Sequence, residues 1–303
     1  MIKRLLFTDE SGNTIILAAF SLLVLLTIAG LAIDGGMLYM TKSELQKTAN
    51  AAVLSGAQEL TNNEAKVDEI TRKTVASHNN GSEIESLSIQ MKKKVAIDLA
   101  KTVPLAFSKL LGVESVRVKA HSAAELRTMG RAVGVAPLGI DDSIPLEFNK
   151  EYKLKVDTGG VEYGNFGVLA LGDTGARTYE ENLRNGYQEE LSAGDIVITQ
   201  TGNIAGKTRE VVKEKVNSCP ELPRDIHSRD CSRIILVPTY SPNKIDVNQV
   251  KEVRITGFAY FYITEPMDML DTSITGMFIQ RPGTGFESEA AASNGAYSIR
   301  ITE

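Results

Sequence analysis

The chain has 303 residues, enough for about two domains at roughly 150 residues each. Hydrophobic residues make up 43% and charged residues 23%, an ordinary folded composition. A net charge of −5 and the lack of any Trp argue against a nucleic-acid partner. Two cysteines rule out a disulfide framework and allow one bridge.

From Thr14 to Ile33 the sequence reads TIILAAFSLLVLLTIAGLAI, without a charge. Twenty residues at about 1.5 Å each match the roughly 30 Å hydrocarbon core of a bilayer. Twelve of the twenty are Leu, Ile, Val or Phe, and these supply about −4 to −7 kcal/mol toward insertion. No polar face interrupts the run, as it would in a surface helix. Residues 14–33 are therefore expected to be a single transmembrane helix. Lys3 and Arg4 precede it, which places residues 1–13 in the cytoplasm and residues 34–303 outside. The competing reading is a cleaved secretory signal with Gly30-Leu31-Ala32 at the cut, but the apolar run is longer than such signals carry. In either case the bulk of the chain is exported, so a Cys219–Cys231 disulfide is expected, with two free buried thiols as the alternative.

After Asp34-Gly35-Gly36 the pattern turns amphipathic. Leu38, Leu45, Ala49, Ala52, Val53, Gly56 and Leu60 recur at helical spacing, which extends the helix as a stalk over 34–62 and ends it near Asn62-Asn63. Ala49, Ala52 and Gly56 form a stripe of small residues that another helix can approach closely. That helix could belong to sister subunits, or the stripe could rest on the chain's own outer domain.

Several residues together resemble the amino-terminal region of Tad (tight adherence) pilus-assembly proteins of the TadE/TadG kind. They are Glu10 and Gly12 before the apolar run, Asp34 at its outer edge, Tyr39, Leu45-Gln46, and Asn50-Ala51-Ala52. The resemblance covers roughly residues 9–60. It implies a bacterial, membrane-anchored, pilin-like protein that builds or supports Flp-type pili. Its partners would then be other pilus-assembly or pilin-like membrane subunits and the lipid bilayer. The family commonly has Asp where Asn50 stands. True prepilins have a small residue ahead of the acidic position, and residues 1–9 contain neither Gly nor Ala. This favours an uncut anchor and an accessory component over a major pilin. By the same resemblance, Glu10 would register with a neighbouring subunit's terminus.

Residues 63–130 read as a small α/β pilin-like unit: a helix from Glu64 to His78, strands in SLSIQM and KKVAIDLA, a short helix ending at Gly112, and a strand in SVRVKAHSAAEL. Residues 131–303 read as a mostly β extracytoplasmic domain with helices beginning near Thr178 and Thr208. The fold class expected is α+β.

No catalytic, cofactor or metal site is expected. Gly206-Lys207-Thr208 follows an apolar run as in a phosphate-binding loop, but the nearest glycine, Gly202, leaves that loop one residue short. Thr208 is expected to cap the following helix, so nucleotide is not expected as a ligand. Asp271-Thr272-Ser273-Ile274-Thr275 approximates a metal-dependent adhesion motif with Thr at its fifth position, and a polar turn explains it as well. His78, His121 and His227 have no ligand-like spacing. Acidic neighbours such as Asp141-Asp142 and Glu180-Glu181 read as solvated surface. The expected role is structural, with a membrane-tethered adhesion or cell-wall-binding module as the alternative.

Overall fold

The computed structural model describes residues 11–155, 166–200, 204–219, 226, 228, 230–246, 249–270 and 272–302. In chain order the elements are α1 (Ser11–Ala57), α2 (Glu64–Ser77), β1 (Glu83–Gln90), β2 (Lys94–Pro104), a 3₁₀ turn (Ser108–Leu111), β3 (Ser115–Ala132), β4 (Leu138–Asp141), β5 (Glu151–Lys155), β6 (Phe166–Val168), α3 (Ala176–Asn185), β7 (Leu191–Ser192), β8 (Ile196–Ile198), α4 (Ala205–Ser218), β9 (Ile234–Asp246), β10 (Gln249–Ile263), β11 (Ser273–Ile279), β12 (Arg281–Pro282), β13 (Phe286–Glu287), β14 (Ala292–Ser293) and β15 (Ala296–Ile301). The fold is α+β.

α1 is one unbroken helix of 47 residues, about 70 Å long. Asp34-Gly35-Gly36 does not break it, and beyond the adjoining residues and the helix's own backbone nothing lies within 4 Å of where a Cβ on either glycine would sit. Its inward face begins at Gly30 and continues through Asp34, Thr41, Leu45, Thr48, Ala49, Ala52 and Gly56. Steps of three, four or seven residues, with Thr48 and Ala49 side by side, keep one stripe turned to the rest of the chain. The helix ends at Ala57, short of the expected Asn62-Asn63. Leu60 turns inward to full burial, its carbonyl accepts from Lys92 N, and Asn63 caps the next helix by accepting from Lys66 N at 2.8 Å.

The first sheet runs β1-β2-β3-β15-β12, antiparallel as far as β15, with the short β13 and β7 pairing farther along β3. Val95, Ile97 and Leu99 alternate along β2 toward α1 and α2, and Ala120 and Ala124 of β3 complete that core. The opposite face carries ion pairs such as Glu85–Lys119 and Glu85–Arg117 and lies in water. The long β3 does not stop at residue 130. Met129 and Ala132 near its end share a core with Leu236, Val253 and Phe258, and the chain's last strand, β15, returns to β3. The two sheets are thereby joined across the division expected at residue 131.

The second sheet runs β5-β11-β10-β9-β4-β6, with β8 and β14 pairing β10. Ile235 and Val237 of β9 face α3 and α4, while Leu236 and Tyr240 face β3. In β10, Val253 and Ile255 face β3, and a register shift between Ile255 and Gly257 reverses the parity. Beyond it Phe258 faces β3, and Ala259, Phe261 and Ile263 face the helices. A bulge of one residue lets a 15-residue strand keep two apolar faces correctly aimed. Cys219 and Cys231 are bonded, with 5.3 Å between their Cα atoms. The bridge ties the end of α4 to the start of β9. Arg233 locks the same corner, donating from Nε to Cys219 O and from a guanidinium NH to Thr264 O, both at 2.8 Å.

Candidate functional site

Among the described residues, the amino-terminal half of α1 is a long run of exposed apolar side chains. Ile15, Leu17, Phe20, Leu23, Leu26 and Ile28 are each at least 60% exposed. A helix buried in a soluble core would be covered, and nothing in the described residues covers this one. By length and composition it can cross a membrane.

The resemblance residues lie along this helix. Gly12 is in its first turn, and Glu10 lies outside the described residues. Asp34, 2% exposed, anchors the loop that follows β2. Its Oδ1 accepts from Ala106 N at 3.0 Å. Its Oδ2 accepts from Phe107 N at 3.1 Å, Ser108 N at 2.6 Å and Ser108 Oγ at 2.7 Å. A carboxylate is the right group here because it is acceptor-only and every facing group is a donor. One turn earlier, the Phe107 ring lies against Gly30, where a Cβ would be 2.5 Å away. Any side chain at residue 30 would displace it.

Gln46 works differently. On the β3 edge beyond the end of β15, alternate carbonyls would face outward unpaired. Thr302 N takes Ala123 O at 2.9 Å, Gln46 Nε2 takes His121 O at 2.7 Å, and Lys42 Nζ takes Lys119 O at 2.5 Å. Two polar residues one helical turn apart thus close an open strand edge.

Ala49 and Ala52 are fully buried, and a Cβ at Gly56 would meet Thr71 Oγ1 at 2.2 Å. The small stripe is a packing face, but it is filled by α2 and the chain's own sheet. Of the two readings the sequence leaves open for this stripe, the contact seen in the fold is with the chain's own helix and sheet. Close approach of α1 and α2 needs small residues, and the fold itself uses them.

The remaining sequence motifs do not converge. Lys207 Nζ pairs with Glu180 at 2.8 Å, and Glu180 also pairs with Arg184, so the lysine faces a carboxylate. Thr208 does not cap α4, which begins at Ala205. Its hydroxyl donates to Ile204 O at 2.9 Å and lies 2.9 Å from Tyr179 Oη, whose acidity burial suppresses. Asp271 lies outside the described residues, while Ser273 and Thr275 are buried within β11. Asp141 is buried, with Oδ1 accepting from Ser143 N, and is not the solvated acid expected. His227 lies outside the described residues, and His78 ends α2. Among the described residues no three His, Cys, Asp or Glu side chains group as metal ligands.

One arrangement escaped the sequence reading because it is assembled across strands. Ser86, Asp98 and His121 stand abreast on β1, β2 and β3. Asp98 accepts from Ser86 Oγ at 2.5 Å and lies 2.7 Å from His121 Nδ1, and these two bonds hold its carboxyl below the usual range. The residue types are those of a hydrolytic triad, but the order is different. Such a triad puts the imidazole between hydroxyl and carboxylate so that it can take the hydroxyl proton. Here the carboxylate is in the middle, and the serine proton points at it.

The structure thus defines an α+β protein carried on a long helix, with an apolar, membrane-length segment at one end. Residues 12–59 match the family model Tad, Flp pilus-assembly TadE/G-like. The match spans the apolar segment, Asp34, Gln46 and the buried small stripe. No curated protein and no solved structure matches the chain.

Proposed function

We propose that this chain is a single-pass, membrane-anchored, pilin-like accessory component of a Flp-type pilus-assembly apparatus. Its amino terminus is cytoplasmic and residues 34–303 lie outside. It acts through contacts with other pilus subunits and turns over no substrate. The observation that carries this reading is the match of residues 12–59 to the pilus-assembly family. The disulfide agrees with an oxidising compartment for the outer part. With Ala49, Ala52 and Gly56 occupied internally, the surface left for partner subunits is the outward side of α1, where Tyr39 and Met40 are 77% and 64% exposed.

The test is a deletion strain in which Flp-type pili are counted by electron microscopy. Complementation uses the wild-type chain and one bearing a photocrosslinker at Tyr39. Loss of pili on deletion, with Tyr39 adducts to other pilus-assembly membrane proteins, supports the proposal. Unchanged pili accompanied by lost surface adhesion favour a tethered binding module instead.

A further inference from the structure

The segment between β2 and β3 is held against the helix at the point where the uncharged run ends. Asp34 grips the amides of residues 106–108, and Phe107 reaches back one turn to Gly30, which lies inside that run. From this foothold the 3₁₀ turn projects Leu110 and Leu111, 85% and 62% exposed, with Phe107 and Val113 also partly open. Exposed apolar residues scattered singly need no explanation, but four within seven residues form a patch. Leu31 and Ile33, in the same turn of α1 as the Gly30 and Asp34 contacts, are exposed as well and form the apolar end of the span.

We propose that residues 107–113 dip into the outer leaflet of the bilayer crossed by α1, giving the protein a second membrane contact. This rests on the reading of residues 14–33 as a membrane span. The occupant of the patch is lipid, because the patch continues the surface of the span at the level of Gly30. The loop's backbone also suits a water-poor environment, where unpaired polar groups are costly. Leu105 N donates to Glu114 O, Leu110 N to Phe107 O, Gly112 N to Lys109 O and Val113 N to Ser108 O, and Asp34 takes the amides of residues 106, 107 and 108. Lys109 is exposed among the leucines, and its stem lets the ammonium reach lipid phosphates while Leu110 and Leu111 sit deeper. Two contacts fix the rotation of the outer domain about the anchor, which one helix alone leaves free.

The chain contains no Trp, so one introduced Trp is the only emitter under selective excitation. The full chain is reconstituted in phosphatidylcholine vesicles with Leu110→Trp, with Leu23→Trp in the middle of the span, or with Arg177→Trp at a remote, 91% exposed side chain. Quenching by lipids brominated at shallow or deep carbons is compared with quenching by aqueous iodide. Leu110→Trp is expected to lose most of its emission to shallow bromines and to resist iodide, while Arg177→Trp behaves oppositely. If Leu110→Trp matches Arg177→Trp while deep bromines quench Leu23→Trp, the anchor holds and the loop proposal is overturned. Protection from iodide without lipid quenching would put a second copy of the chain on the patch and also overturn it. Loss of lipid quenching at Leu23→Trp overturns the anchor and the proposal together.

Discussion

Asp34→Ala should release the loop after β2 without unfolding the sheet beneath it. Four donors converge on the Asp34 carboxylate, three of them backbone amides of adjacent residues. Hydrogen bonds to a charged acceptor are worth about 1.5–3 kcal/mol each, but these share one short segment, and water reclaims the donors once it opens. An end-capping side chain alone is worth about 0.5–2 kcal/mol, so about 3–4 kcal/mol of local stability is a reasonable value for the whole clamp. Amide exchange over residues 105–113 should then accelerate by about two to three orders of magnitude, at 1.4 kcal/mol for each factor of ten. Hydrogen exchange read by mass spectrometry, on the full chain in nanodiscs, resolves that peptide from β2 and β3. Asp34→Asn should fall between, because its amide nitrogen presents a donor to a donor. Unchanged exchange at 105–113, or equal acceleration throughout the first sheet, would refute the clamp as a local device.

Gly56→Ala should destabilise the α1–α2 contact by about 1–3 kcal/mol through overpacking, since the new Cβ meets Thr71 Oγ1 at 2.2 Å. Adding Thr71→Ala should recover much of the loss of thermal midpoint. Replacing both Cys219 and Cys231 by Ser should cost about 3 kcal/mol for a loop closed over 12 residues, measured by denaturant unfolding of the outer domain. Lys207 first, then Arg184, hold the Glu180 carboxyl below its ordinary range. Its contribution is present above that range and is lost as the pH falls through its folded value. Glu180→Gln should therefore lower the melting point at neutral pH, leave it nearly unchanged in acid where the wild-type carboxyl is protonated too, and so flatten the acid limb of the melting profile. An identical acid limb in the variant would count against the α3–α4 ion pairs.

What could be read in the sequence was what depends on near neighbours. An uncharged run of membrane length, a helix beginning at Glu64, and alternating runs such as RIILVPTY carry their own signal. So did the bridge, since only Cys219 and Cys231 were available to form it. Asp34 was visible as a residue but not as a function, because the amides it binds are 72 to 74 positions away. The alternation of AYSIRIT announces a strand without naming its partner, and only the structure shows that it rejoins β3. Asn63 satisfies either a helix end or a helix start, and burial of Leu60 decides for the start. Thr208 likewise suits a cap, but a helix begun at Ala205 turns its hydroxyl inward to Ile204 O. The small stripe was legible as a contact face, yet nothing local distinguishes α2 of the same chain from a helix of another.

The most direct test of the account is the intact mass and amino-terminal sequence of the unreduced protein from native membranes, after alkaline carbonate washing. The account predicts a chain that stays in the membrane fraction, retains Thr14–Ile33, and is lighter than its reduced form by the hydrogens of one disulfide. A washed-out chain whose first residue lies near Ile33 would contradict it, because the segment that anchors the outer domain would be gone.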